Sequence, residues 1–590
     1  MPFPAELHSP SFSEEQKRYL EGFFAGIAQR GATPYVGQTT DGRLTNDAAS
    51  ALPNEAAEEC VFGTPVSELC KEERWKHEEN ALDIWDKLLA HANENRVPAS
   101  DDLFRFKYHG LFHVAPAQDS FMLRLRAAGG MLTAEQMRGL ARMAVEWGCG
   151  SADLTTRANL QLREFQPREI VRVLNRVQAL GLTSRGSGAD NIRNITASPI
   201  SGVDPHELMD VAPLAEAMHF YILNSRDMYG LPRKFNIAFD GGGSIGVVAD
   251  TNDIAFCAVE VTEGREVPAG IYFRVALGGI TGHGQFASDA GLLLRADQAV
   301  AVAAAMVRVF AENGDRTDRK KARLKYLLDR WGVERFLAET EKRLAFPLLR
   351  FPLAECEPRR TIDRGAHLGV HAQRQAEKNY IGVAVPVGRV TAEQMTALAD
   401  VAERYGSGEL RLTVWQNVIL PNVAGSDTEV AVKALADAGL SVAAGTVTSG
   451  TVACTGNKGC RYSACDTKAH AVALATRLDS RFRIEQPVNL HVTGCPHSCA
   501  QHSIGDIGLL GMKIGGAEGY QVVIGGGSDD AQGLARELIS AIRFEELPPV
   551  MERLFAAYVE RRVEGESFLA FSRRHEIDAL QAMCAERVSE

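Results

Sequence analysis

The chain has 590 residues and a formal net charge of −11, and its 45% apolar and 24% charged residues are those of an ordinary globular protein. That length exceeds one hydrophobic core, so three or more packed modules are expected, large enough together to bury a prosthetic group. No stretch approaches the roughly 20 consecutive apolar residues of a membrane span, and the acidic balance disfavours nonspecific nucleic-acid binding; a cytoplasmic protein with no membrane or nucleic-acid partner is expected.

The N-terminus, MPFPAELHSPSFSEEQ, has no basic region before an apolar run and is too acidic for a transit peptide, and residues 1–100 read as an N-terminal extension. FMLRLR at Phe121 alternates apolar and basic, so a strand here places Arg124 and Arg126 on one face and Leu123 and Leu125 on the other. From Leu132, LTAEQMRGLARMAVEW repeats Met, Leu and Ala at helical spacing; Gly148 and Gly150 end the helix and a Leu-Thr strand follows. The same unit returns at Val390. Thr133 to Met137 matches Thr391 to Met395 without a gap, and Leu140, Ala141, Gly148, Gly150, Leu154, Thr155 and Asn159 match Leu398, Ala399, Gly406, Gly408, Leu412, Thr413 and Asn417. Each copy reads strand, helix, turn, strand.

The repeat continues beyond this unit. KFNIAFDGGG from Lys234 and NLHVTGCPHSC from Asn489 both place an alternating strand before a turn; DIAF at Asp253 is similar to DIGL at Asp506, and RVALGG at Arg274 to VVIGGG at Val522. An α+β protein, internally duplicated and pseudo-twofold, is therefore expected, with linkers at Ser201 to His206 and Cys356 to Gly365. LPRKFN sets Lys234 and Asn236 on one side and Phe235 on the other, and GDRTDRKKARLKY, with Arg316, Arg319, Lys320 and Arg323, reads as a basic helix start. Taken alone, each of these basic patterns is more often a solvated edge or helical face than a site. GGGS at Gly241 and at Gly525 lacks the spacing and the lysine of a phosphate loop.

Eleven cysteines in a chain without a secretory signal argue against a disulfide framework. Only the second half carries them at the repeated turn: CTGNKGC separates Cys454 and Cys460 by five residues, and GCPHSC separates Cys495 and Cys499 by three. Structural zinc takes pairs two to four residues apart, which the wider gap fits poorly, whereas an iron–sulfur cubane spreads its corners. Gly456, Gly459 and Gly494 allow backbone N–H groups to approach inorganic sulfide. Pro496 suits a first helical turn, which would set Cys499 one turn beyond Cys495. The quartet is read as the ligand set of a [4Fe–4S] cluster, with zinc as the alternative and Cys465 as surplus.

C-x5-C followed by GCP-x2-C, with the duplicated unit, resembles the sirohaem-dependent nitrite and sulfite reductases from about Phe104 to Glu564. The resemblance implies ferredoxin-like half-domains at 101–200 and 366–446 and two larger α+β lobes, at 201–350 for substrate and sirohaem contacts and at 447–590 for the cluster and C-terminal helices. It implies sirohaem as second cofactor, with Cys499 shared between its iron and the cluster. It places Arg124, Arg193 of ADNIRN, Lys234 and Asn236 around the substrate, Arg157, Gln161, Lys320 and Arg323 at the eight carboxylates of the macrocycle, and Asn417 against the macrocycle itself. Convergent cations of this kind attract an oxyanion and stabilise negative charge as electrons arrive. Sulfite reductases of the family carry a second lysine where Asn236 stands and nitrite reductases an asparagine, so the resemblance implies six-electron reduction of nitrite to ammonia, with sulfite to sulfide as the alternative. No dinucleotide fingerprint is present, so ferredoxin or flavodoxin is the implied electron donor. Two other classes compete: a tetrapyrrole-modifying enzyme of cobalamin synthesis on the same scaffold, and a zinc-stabilised binding module.

Overall fold

The duplicated unit folds twice, and each copy gives the short strand ahead of its first helix to the other. The computed structural model describes residues 59–442 and 445–585; residues 1–58 of the expected extension, with the N-terminal sequence discussed above, lie outside the described residues. Three short helices, Lys71–Glu78, Trp85–Asn93 and Ser100–Phe106, lead into the first copy. It comprises β1 (Leu111–Val114), β2 (Ser120–Arg124), β3 (Met131–Thr133), α1 (Ala134–Trp147), β4 (Ser151–Thr155), β5 (Asn159–Phe165) and α2 (Ile170–Ala179).

A first lobe follows, with β6 (Thr196–Ala197), α3 (Ala212–Asn224), β7 (Ile237–Asp240), β8 (Ile254–Val261), β9 (Gly270–Leu277), β10 (Ser288–Leu294), α4 (Ala299–Asn313) and α5 (Leu324–Trp331). The second copy holds β11 (Gly369–Ala372), β12 (Lys378–Val383), β13 (Arg389–Thr391), α6 (Ala392–Tyr405), β14 (Glu409–Leu412), β15 (Val418–Ala424) and α7 (Thr428–Asp437). The second lobe holds β16 (Thr451–Ala453), α8 (Thr467–Arg481), β17 (Leu490–Thr493), β18 (Ile507–Ile514), β19 (Ala517–Ile524), β20 (Arg536–Arg543) and α9 (Leu547–Arg561).

The half-domain sheets run β13-β4-β5-β2-β1 and β11-β12-β15-β14-β3. Arg389 to Thr391 therefore pairs with Asp153 to Ser151 of the first copy, and Met131 to Thr133 with Arg411 to Glu409 of the second. The same chemistry fixes both exchanges. Thr133 caps α1 by accepting from Gln136 N, while the Gln136 side chain accepts from Thr133 N; Thr391 and Gln394 repeat this reciprocal cap on α6, each worth about 1 kcal/mol. Gly150 and Gly408 sit at φ +72° and +76°, where a side chain would be strained. Their carbonyls accept Ala392 N at 2.9 Å and Ala134 N at 2.7 Å across the dyad. Helices α1 and α6 then close one shared core, in which Leu140, Met137, Met395 and Leu398 are fully buried.

The lobe sheets also repeat each other. Orders β6-β7-β8-β9-β10 and β16-β17-β18-β19-β20 each have two parallel steps followed by two antiparallel ones. In both, an aspartate at the entry to the third strand holds the start of the second: Asp253 accepts Asn236 N and Asp506 accepts Asn489 N. The expected α+β, pseudo-twofold architecture is the one observed. No helix among the described residues is long and apolar enough to cross a membrane.

Candidate functional site

The four cysteines leave the ends of two neighbouring parallel strands. Cys454 follows β16 and Cys495 follows β17; Cys454 N donates to Val492 O at 3.0 Å, which keeps the two strand ends in register. Gly494 N donates to Cys454 Sγ at 3.3 Å, and Thr467 Oγ1 lies 3.5 Å from the same sulfur. Glycine is required at 494 because a Cβ there would overlap the Ser463 side chain, and at 456 because φ is +77° and a Cβ would stand 2.8 Å from Thr467 N. GCPHSC does not form the helix expected from Pro496. Ser498 and Gln501 both take left-handed backbone conformations, so the segment is a succession of turns.

The thiols converge. Burial pushes Cys495 up to about 11, and the negative charge of Cys499, Cys460 and Cys454 adds to the rise, so each of the other three lies within electrostatic reach of it. Cys454 is raised by burial and then by Cys499. Four mutually repelling thiols are ionised together only around a cationic centre. Four thiols within electrostatic reach of one another are a donor set that an iron–sulfur cluster bound by four thiolates would use. Cys465 turns away, its Sγ 3.2 Å from Gly519 O in the interior.

Cations from the first half face this turn. Arg124 ends β2, its guanidinium 4.5 Å from the centre of the Phe112 ring; burial lowers it to about 10 while Cys499 acts in the opposite sense. Lys234, ahead of β7, is lowered to about 7 by burial, with neighbouring Arg323 adding to the fall and Cys499 opposing it. Its ammonium has no hydrogen-bond partner among the described residues. Arg193 donates to Ser187 O at 3.0 Å and Ala189 O at 2.8 Å, its Nε is buried without a partner, and burial followed by Arg124 holds it well below the usual guanidinium range. Asn236 Oδ1 is likewise buried and unpartnered. Phe235 points the other way and is fully buried, as the alternation of LPRKFN predicts. Cations lowered by burial and by one another, beside orphaned polar atoms, are features that an anionic ligand would satisfy.

Other basic residues are committed to the protein itself. Arg126 does not share the face of Arg124, because the chain leaves the ladder after Arg124 and bridges to Thr183; its guanidinium donates to Ile192 O at 2.6 Å in the interior. Residues 316–323 form turns rather than a helix start, and α5 begins at Leu324. Arg316 pairs with Glu73 and Arg319 with Asp190, while Lys320 is exposed. Arg323 forms a buried two-point pair with Asp253, at 3.0 and 2.7 Å. Arg157 gives four donations to its own chain, to Asn194 O twice, Asn252 Oδ1 and Ile237 O. Gln161 lies opposite Arg124 on β5, and Asn417 accepts Val385 N at 2.9 Å while its Nδ2 is buried without a partner.

Sequence reasoning missed Arg163. It donates to Asp153 at 2.6 Å, Gln161 at 2.8 Å and Thr455 Oγ1 at 2.7 Å, tying β5 to the loop between Cys454 and Cys460. The β4–β5 hairpin register pairs Asp153 with Gln161, two residues from Arg163, and is the local trace of this contact in the sequence.

Two exchanged ferredoxin-like halves, with the second lobe presenting four thiols near cations of the first half of the chain, define a cluster-bearing redox protein that handles a small anion. The chain belongs to the nitrite and sulphite reductase family. It matches the family's "Nitrite and sulphite reductase 4Fe-4S domain" over residues 188–348 and 444–574, and the "Nitrite/Sulfite reductase ferredoxin-like half domain" over 113–180 and 371–438. It is 35% identical to the ferredoxin–nitrite reductase of Synechococcus elongatus over 83% of this chain and 96% of that one. It is 35% identical to the chloroplastic ferredoxin–nitrite reductase of Zea mays (78% and 84%), and 30% identical to the assimilatory ferredoxin-dependent nitrite reductase of Haloferax mediterranei (87% and 93%). The solved structure of Mycobacterium tuberculosis NirA superposes with a TM-score of 0.79 at 28% identity, covering 87% of this chain and 97% of that one.

Proposed function

We infer that this protein reduces nitrite to ammonium with six electrons from ferredoxin, consuming eight protons and releasing two waters. The observation that carries the reading is that Arg124 and Lys234, from the first half, both lie within electrostatic reach of Cys499 of the second. Cys454, Cys460, Cys495 and Cys499 would hold a [4Fe–4S] cluster, and Cys499 would also serve a sirohaem. Bound there, the two cofactors supply electrons one at a time to the anion.

The remaining work falls to side chains. Lys234, Arg124 and Arg193 bind and orient the anion, and burial lowers the Lys234 ammonium, which makes it the readier proton donor as oxygens depart. Asn236 offers one fewer positive charge than a lysine, which suits a monoanion over a dianion. Arg157, through the N–H its protein partners leave over, with Gln161, Lys320 and Arg323, would meet the macrocycle's carboxylates, and Asn417 its edge. The anion-facing residues thus come from 101–200 and 201–350 and the cysteines from 447–590. All eleven cysteines are free, in keeping with a cytoplasmic location, where thiols stay reduced.

The test is the purified protein supplied with chemically reduced ferredoxin: iron content, absorption spectrum, nitrite consumed and ammonium formed. One ammonium per nitrite from protein with haem absorption bands supports the reading. A chain that binds zinc in place of iron, or leaves nitrite unreduced, overturns it.

A further inference from the structure

Three pieces of the chain meet at one buried charge cluster that the anion pocket does not use. Asp153 on β4 is 3% exposed and receives Arg163 of β5 at 2.6 Å, Arg389 of β13 at 3.1 Å and Lys468 of α8 at 3.4 Å. Arg389 is half exposed, whereas Arg163 and Lys468 are buried beside the one carboxylate, so the buried part of the cluster carries a net charge of about +1 in low-dielectric surroundings, where such charge acts over distance. Burial alone would raise Asp153; Lys468, Arg163 and Arg389 outweigh it and hold the carboxyl well below the usual carboxylate range, so the carboxylate is ionised throughout the working pH range. Lys468 also donates to Val387 O, which fixes α8 against the second half-domain.

Arg163 carries this charge to the cysteine loop. Its Nη2 donates to Thr455 Oγ1 at 2.7 Å and its Nη1 lies 3.4 Å from Gly459 O, so one planar guanidinium holds the residue after Cys454 and the residue before Cys460. A Cβ on Gly459 would stand 2.8 Å from Nη1, so glycine there leaves room for the guanidinium. The same Nη2 reaches Gln161, which lies opposite Arg124.

We propose that Arg163, backed by Asp153, Arg389 and Lys468, is a positioning residue that fixes the cysteine loop and raises the reduction potential of the centre held there. The inference rests on the cluster reading given above. Reducing an iron–sulfur centre adds one negative charge, and nearby fixed positive charge favours that step. No bond forms or breaks at Arg163.

The experiment uses the full-length, cofactor-loaded protein and follows the reduced cluster by electron paramagnetic resonance during redox titration. Arg163→Gln and Lys468→Met, each removing one charge, should both shift the cluster midpoint to more negative potential. Arg163→Lys, which keeps the charge and loses the planar two-point grip, should stay close to wild type. Wild-type midpoints in both charge-removal variants would overturn the proposal, as would a midpoint in Arg163→Lys as low as in Arg163→Gln. If Arg163→Gln takes up too little iron to titrate, Lys468→Met and Arg163→Lys decide on the same terms. A wild-type chain with no cluster signal would overturn the cluster reading itself, and the inference with it.

Discussion

Asn236 and Asn489 occupy the same position in the two duplicated lobes: each donates its backbone N–H to the aspartate that opens the next strand, Asp253 at 2.8 Å and Asp506 at 3.0 Å. Each also leaves its side-chain Oδ1 buried and unpartnered. The pair separates scaffold from substrate, because only Asn236 stands beside Lys234 and the cations within electrostatic reach of Cys499. Asn236→Lys is expected to raise the ratio of kcat/KM for sulfite over nitrite by about tenfold, the size of one favourable charge contact of roughly 1.4 kcal/mol. Steady-state assays of both anions measure it, and an unchanged ratio would remove Asn236 from the selectivity argument.

Neither the Lys234 ammonium nor the Arg124 guanidinium has a hydrogen-bond partner among the described residues, and of the two only Lys234 lacks an aromatic ring to rest on. Lys234→Gln should lower kcat/KM for nitrite by about 100-fold or more while leaving iron content and the absorption spectrum of the oxidised protein intact. A variant with near wild-type kcat/KM would show that the anion is held by the arginines alone.

The strand exchange makes the half-domains one cooperative unit. Leu140→Ala, at a fully buried site in the shared core, should cost about 3 kcal/mol. Hydrogen exchange should quicken in α1 and α6 alike. Acceleration confined to the first copy would contradict a common core.

Asp190 supplies an acid-sensitive brace. It is fully buried, bonded to Arg319 at 2.6 and 2.9 Å and close to Lys76 and Arg233. Burial pushes its carboxyl up, but Lys76, Arg319 and Arg233 outweigh that and leave it at about 2, against about 3.9 in an unfolded chain. A depressed carboxyl contributes stability that is present in full above the unfolded value and is lost as pH falls from about 4 through about 2, here roughly 2–3 kcal/mol. Asp190→Asn should therefore be clearly destabilised at pH 7, and its deficit should shrink as denaturation is measured at lower pH within that window. A deficit independent of pH would contradict the ionic account.

The repeat and the cysteine quartet were legible because both are local: a capped helix with its glycines and two short spacings survive in the sequence alone. The exchange of β3 and β13 was not, since three residues such as Met131 to Thr133 carry no information about which sheet accepts them. Arg126 reads like Arg124 until the chain leaves the ladder between them. The basic run 316–323 looks free because its partners, Glu73 and Asp190, lie more than a hundred residues earlier. Arg163 was hidden for the same reason, one side of its grip being local and the other about 290 residues away at Thr455.

The most direct test of nitrite reduction at this site is a side-by-side measurement of kcat/KM for nitrite and for sulfite, with the same cofactor-loaded protein and the same reduced ferredoxin. A clearly higher value for nitrite, with ammonium as product, is the expected result; a clearly higher value for sulfite would contradict it.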